Sequence, residues 1–266
     1  MKTIMNILEA QLKAQQDKKT YALATLVKTQ GATPRGVGSK MMVFEDGKFE
    51  GTIGGGALEK QVLADALKCV KSRESVLAEY ENRTEDGSSP CGGIITVFIE
   101  PIQSVPDLVV CGAGHVGGAL IKLAGALDYR VTAIDTRDTE MTEAHVKEAD
   151  NFVLVEDFFV GLQSLNIGAG AFYLISTYGH SQDGQALAAA LEKNAAYIGM
   201  MGSPIKISSL FSKLREKGFS DEQLAFIHTP VGLDIGGETP PEIAVSILAE
   251  MQKVRYGKSG CSLKEI

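Results

Sequence analysis

The chain has 266 residues, more than one average domain and comfortable for two. Its 44% hydrophobic and 22% charged residues lie in the ordinary globular range and exclude a disordered or fibrous chain. A net charge of −7, no Trp and 6% aromatic residues argue against nucleic acid as a partner.

From the N-terminus, Ile4, Ile7, Leu8 and Leu12 recur at helical spacing and predict a leading amphipathic helix. Tyr21–Val27 reads as a strand. Lys40–Phe44 and Lys48–Ile53 flank Glu45-Asp46-Gly47, and Asp-Gly between apolar runs predicts a hairpin. Ala57–Lys71 follows as a helix with Leu58, Val62, Leu63, Ala66 and Leu67 on one face. Ser75–Glu81 and Ile94–Glu100 read as two further strands. Pro101 and Pro106 bracket a small polar stretch and mark the domain break. An α+β domain over 1–102 is therefore expected, followed by a second domain over 103–266.

Beyond the break, the short apolar runs Leu108–Cys111, Arg130–Ile134, Asn151–Val155, Ala171–Ile175 and Ala195–Ile198 alternate with the helical stretches Val116–Leu127, Asp183–Lys193 and Pro204–Lys217. Such alternation predicts an α/β fold, a Rossmann-like doubly wound parallel sheet. Thr239-Pro240-Pro241-Glu242 reads as a capping box opening the last helix. No apolar run approaches the ~18 residues of a membrane span. The polar N-terminal stretch is unlike a signal peptide, so no membrane contact and a cytoplasmic location are expected.

Gly112-Ala-Gly114-His115-Val-Gly117 matches the dinucleotide fingerprint, directly after a strand and at the start of a helix, with Asp135 closing the next strand. The first glycine allows the turn, the second lets backbone approach a phosphate, and the third seats helix against strand. The helix start offers N–H groups and partial positive charge to an anion, and Asp135 is expected to accept ribose hydroxyls. His115 stands beside that turn. Gly199, Gly202 and Ser203 form a second glycine junction, with Lys206 one turn into the helix. Ser176–Asp183, including His180, follows the preceding strand. In the first domain, Gly54-Gly55-Gly56 opens a helix as a candidate anion nest, with Arg35 and Lys40 as candidate cations. Cys91, on a loop before Gly92-Gly93, is a candidate soft ligand or nucleophile. Cys69 and Cys111 read as core and Cys261 as part of a polar tail. Neither the four cysteines nor the four histidines show metal-ligand spacing.

These segments resemble the XdhC/CoxI family, accessory proteins of xanthine dehydrogenase and related molybdenum hydroxylases. The likeness rests on Gly31–Lys40, Gly51–Glu59, Cys91–Gly93, Val110–Gly117, Ala196–Ser203 and Val231–Pro240, and covers nearly the whole chain. It implies a chaperone for molybdenum cofactor, as plain molybdopterin or its nucleotide form, acting by binding and transfer. The cofactor would be sheltered during sulfuration and delivered to a xanthine dehydrogenase-type hydroxylase. Partners would then be that hydroxylase and a cofactor-sulfurating enzyme. The cofactor is expected between the domains, with its phosphate on Gly112–Gly117 and its molybdenum facing Cys91. Two stretches depart from the family pattern: Pro204-Ile205-Lys206 stands where arginines are common, and Tyr178-Gly179 precedes His180. The fingerprint and Asp135 by themselves also admit NAD and an NAD-dependent oxidoreductase, although no general-acid arrangement is evident. A nucleotide-sensing regulatory module is the third alternative. A homodimer is expected from the prevalence of twofold assemblies.

Overall fold

β1 (Tyr21–Gln30) is the middle strand of an antiparallel five-stranded sheet in the order β3-β2-β1-β5-β4. The computed structural model describes residues 7–17, 19–81 and 93–265. β2 (Lys40–Phe44) and β3 (Phe49–Gly51) form the expected hairpin, which turns through Gly47 at φ +79°. β3 is shorter than its apolar run because Glu59, in the next helix, accepts hydrogen bonds from the Thr52 hydroxyl and the Ile53 N–H. Those bonds draw the chain off the sheet and into α2 (Gly56–Ser72). β4 (Val76–Glu81) and β5 (Ile94–Ile102) complete the sheet.

Strand alternation gives this sheet two apolar faces. Ala22, Ala24 and Leu26 pack with Leu58, Val62 and Ala66 of α2, while Tyr21 and Leu23 pack with Ala10 and Ala14 of α1 (Ile7–Gln16). The leading helix is therefore present but differs from its expected face. Leu8 and Leu12 are 61% and 53% exposed, and it is the small Ala10 and Ala14 that lie against the sheet. Ile4 falls outside the described residues. Pro101 also departs from expectation, since it belongs to β5 and pairs with Ala22. It sits where β5 has run past the end of β4, whose pairing stops at Ile99, so one side of the strand has no ladder to lose.

The parallel sheet comprises β6 (Asp107–Cys111), β7 (Arg130–Asp135), β8 (Asn151–Leu154), β9 (Ala171–Ile175), β10 (Ala195–Met200) and β11 (Ile227–His228). Its order is β11-β10-β9-β6-β7-β8, so the chain winds outward from β6 to β8 and then returns to the other side of β6. Both faces are covered, as a parallel sheet requires. Leu108 and Val110 meet α3 (His115–Ala124) and α9 (Pro240–Tyr256). Val109 and Cys111 face the side packed by Phe158 and Leu162 of α5 (Phe158–Ser164), Ala186 and Leu187 of α6 (His180–Leu191) and Leu210 of α7 (Pro204–Glu216). At the start of α9 the Glu242 carboxylate accepts the Thr239 N–H at 2.9 Å and its hydroxyl at 2.7 Å. The short α4 (Glu140–His145), α5, α8 (Asp221–Ala225) and β11 have too few residues to show a period in sequence.

The chain divides into two compact units, Met1–Ser104 and Val105–Ile266. Among the described residues, no helix is long and apolar enough to cross a membrane.

Candidate functional site

A cavity of about 530 Å³ opens where β6, β9 and β10 end. In open parallel sheets ligands bind beyond the carboxyl ends of the strands where the winding reverses, here between β6 and β9. Gly114–Gly117 line the cavity after β6, Ser176–Tyr178 after β9 and Met201–Ser203 after β10. α3 and α7 both begin on it, so their unpaired N–H groups and positive dipole ends face the same space.

The glycines divide the labour as the fingerprint predicts. Gly112 has φ +100°, and a Cβ there would overlap the Ser176 carbonyl. A Cβ on Gly117 would overlap the Gly112 carbonyl oxygen. Gly114 is different: a Cβ there would meet only the Arg137 Nη2 at 3.9 Å, so this glycine leaves the backbone open toward the cavity.

Asp135 does not have the expected role. Its carboxylate is 1% exposed and already engaged. It accepts the Ala113 N–H at 2.7 Å, the Arg137 N–H at 3.0 Å, and the Arg137 Nε and Nη2 at 2.9 and 2.8 Å. Burial pushes this carboxyl up, but the Arg137 fork and the two backbone donors outweigh it and hold the group below the usual aspartate range. A ribose hydroxyl would have to displace Arg137. Asp135 instead ties the glycine turn to a cation, and Arg137, which the sequence reading missed, is the residue that lines the cavity. Its only signal in sequence is its place two residues after the acid that ends β7. His145 braces the turn as well, with Nδ1 donating to the Ala113 carbonyl at 2.9 Å and the ring lying where Gly118 has no side chain. His115 is exposed, lines the cavity and meets the His145 ring edge-on at 5.8 Å.

At the second glycine junction, Gly202 and Ser203 line the cavity, and the Ser203 hydroxyl caps α7 by accepting the Lys206 N–H at 3.4 Å. Gly199 does not reach the cavity. It is buried in β10, where a Cβ would crowd the Tyr197 hydroxyl and the Val231 methyl at 2.6 Å each, so its role is packing. Lys206 lines the cavity with its ammonium on Asp183, whose side chain is 1% exposed. Asp183 also accepts the Thr177 hydroxyl at 2.6 Å and N–H at 3.2 Å.

In the N-terminal unit, Gly55 precedes α2 at φ +106° and Gly56 opens it at φ +67°. A Cβ on either would meet nothing within 4 Å, while one on Gly54 would touch Pro34 at 3.7 Å. Gly93 abuts the Ala32 carbonyl, so the loop 31–40, the Gly54–Gly56 turn and the start of β5 gather at one end of the antiparallel sheet. Arg35 is exposed there. Lys40 is not a free cation, because its ammonium donates to Thr25 on the neighbouring strand at 2.9 Å. Cys91 lies outside the described residues. Cys69 and Cys111 are buried, and burial pushes both thiols up, away from the thiolate a soft metal would need. Among the described residues no cluster of His, Cys, Asp and Glu is placed to hold a metal ion.

A family model described as the XdhC Rossmann domain matches residues 108–251, and a second, for the XdhC and CoxI family, matches residues 14–81. The chain belongs to the XdhC and CoxI family. It is similar to the uncharacterized protein YqeB of Escherichia coli, with 34% identity over 96% of this chain and 47% of that protein. The chain thus spans about half the length of that relative. It is also 23% identical to a protein of Bacillus subtilis named as a probable xanthine dehydrogenase subunit, over 90% of this chain and 94% of that one. The molybdenum cofactor insertion chaperone PaoD of Escherichia coli is 25% identical over 94% of this chain and 88% of its own.

Proposed function

We propose that this family member binds molybdenum cofactor and passes it to a molybdenum hydroxylase of the xanthine dehydrogenase type. The names of the Bacillus subtilis relative and of PaoD support the accessory role and the cofactor. The observation that carries the reading is the cavity after β6, β9 and β10, on which two helices open beside Arg137 and Lys206. Its donors suit the phosphate that terminates the pterin, or the pyrophosphate of a nucleotide-linked form.

Both cations in the cavity already have buried acid partners, Arg137 with Asp135 and Lys206 with Asp183. An incoming anion therefore meets oriented N–H donors and paired cations, with little uncompensated positive charge. Such a site orients a phosphate without trapping it, which suits a cargo that must leave. When bound, the cofactor supplies the redox-active molybdenum centre that the recipient needs. Cys91 is the residue proposed to face the molybdenum, as the family resemblance implies. Shelter during sulfuration, and a sulfurating enzyme as second partner, belong to the same proposal.

The test is retention and transfer. Protein mixed anaerobically with released cofactor should keep it through desalting and then activate an apo-hydroxylase, with Cys91→Ala and Arg137→Leu each weakening retention. Wild-type protein that emerges without molybdenum or pterin defeats the reading.

A further inference from the structure

Tyr178 is 81% exposed, yet it is not loosely held. Its backbone is pinned on one side by Thr177, whose N–H and hydroxyl bond the buried Asp183, and on the other by Gly179, which precedes α6. Over one face of the ring lies the Arg137 guanidinium, 5.5 Å from the centroid. That guanidinium is itself fixed by two bonds to Asp135. A cation over an aromatic face is attractive, and here it favours one orientation of the ring at the rim of the cavity. An aromatic ring this exposed gains little from burial and packs no core. It lines the space into which the α3 and α7 starts point, with its second face uncovered.

We infer that Tyr178, backed by Arg137, is a stacking platform for the heteroaromatic ring of a ligand whose phosphate sits in this cavity. The inference rests on the reading of the cavity as a phosphate site and adds what recognises the rest of the molecule. Stacking needs only a flat π-face, so a pterin and a nucleotide base share the required chemistry. The phosphate alone, or a phosphate on a ring with no π-system, would gain nothing from Tyr178.

The experiment compares three probes, AMP, neopterin monophosphate and ribose 5-phosphate, by calorimetry on the full chain. Tyr178→Phe should bind all three as the wild type does. Tyr178→Leu should lose about tenfold or more in affinity for the probe or probes carrying the recognised ring, with ribose 5-phosphate unchanged. A loss confined to neopterin monophosphate assigns the platform to a pterin, and one confined to AMP assigns it to a base. Equal melting temperatures of the variants, expected for so exposed a side chain, keep the comparison clean. Unchanged affinities in Tyr178→Leu, or an equal loss with ribose 5-phosphate, overturn the platform. Failure of the wild type to bind any probe overturns it together with the phosphate reading. Tyr178-dependent binding in a protein that never retains molybdenum cofactor would leave the platform standing and sink the chaperone.

Discussion

Gly117 and Gly55 both belong to glycine-rich helix starts, and an added methyl group would meet opposite surroundings at the two. At Gly117 it would run into the Gly112 carbonyl, inside a turn already locked by Asp135 and His145. At Gly55 it would find nothing within 4 Å, and only the backbone, at φ +106° and ψ 168°, resists it. One loop uses glycine because space is lacking, the other because its dihedral angles are nearly closed to any other residue. The crowded loop is a rigid frame that fixes where the α3 N–H groups point. The open loop is braced instead by the Glu59 bonds to Thr52 and Ile53 and by the Gly54 N–H on the Thr52 hydroxyl.

The sharpest way to break this contrast is a pair of alanines. Gly117→Ala should destabilise the parallel sheet by on the order of 3 kcal/mol or more, because a backbone atom cannot step aside. Gly55→Ala should cost about 1–3 kcal/mol, from dihedral strain alone. Hydrogen-exchange protection of the β6 and β9 amides measures the first, and that of β1 and β5 the second. Similar losses at the two sites would erase the distinction.

Asp135→Asn comes next and probes the brace. It removes the charge from bonds to Arg137 and Ala113 and should lower stability at pH 7 by roughly 2 kcal/mol. The Asp135 carboxyl titrates below its ordinary value in the folded chain, so its contribution is complete above about pH 4 and is lost as pH falls through the lower folded value. Urea melts should therefore show the gap between variant and wild type narrowing as pH falls below about 4. A gap that stays constant with pH would mean that the carboxylate is not the source.

Gly114→Ala sharpens the comparison in another direction. The new methyl group has room, with Arg137 Nη2 at 3.9 Å, so folding should change by no more than about 1 kcal/mol. Phosphate binding should still weaken severalfold, because the methyl group occupies the approach to the α3 amides. The smallest effect is expected at Leu12→Ser. This leucine is 53% exposed, and the change should stay within ±0.5 kcal/mol in a thermal melt.

The parallel sheet was readable because its strands are short apolar runs set between longer helical patterns, and β6 and β9 are buried at every residue. The glycine fingerprint was readable because Gly112 and Gly117 each answer a local steric demand, while Gly114 leaves the backbone open toward the cavity. The face of α1 was not readable, since periodicity counts leucines and the sheet here receives alanines. The part played by Asp135 was hidden for a related reason. Spacing identified an acid at a strand end, but only the fold brings Arg137 and the Ala113 amide onto it. The strand–glycine–helix pattern puts Gly199 on the binding edge, but its neighbours Tyr197 and Val231, one near in sequence and one distant, make it a packing position. Lys206 was legible as a cation one turn into α7, but its buried partner Asp183 was not.

The most direct test is a titration of ¹⁵N-labelled protein with inorganic pyrophosphate, following the glycine and serine amides by NMR. The account predicts saturable shifts at Gly114, Gly117 and Ser203, with Arg137→Leu weakening them and Gly54–Gly56 moving less. Shifts concentrated at Gly54–Gly56, or none at the α3 start, would contradict it.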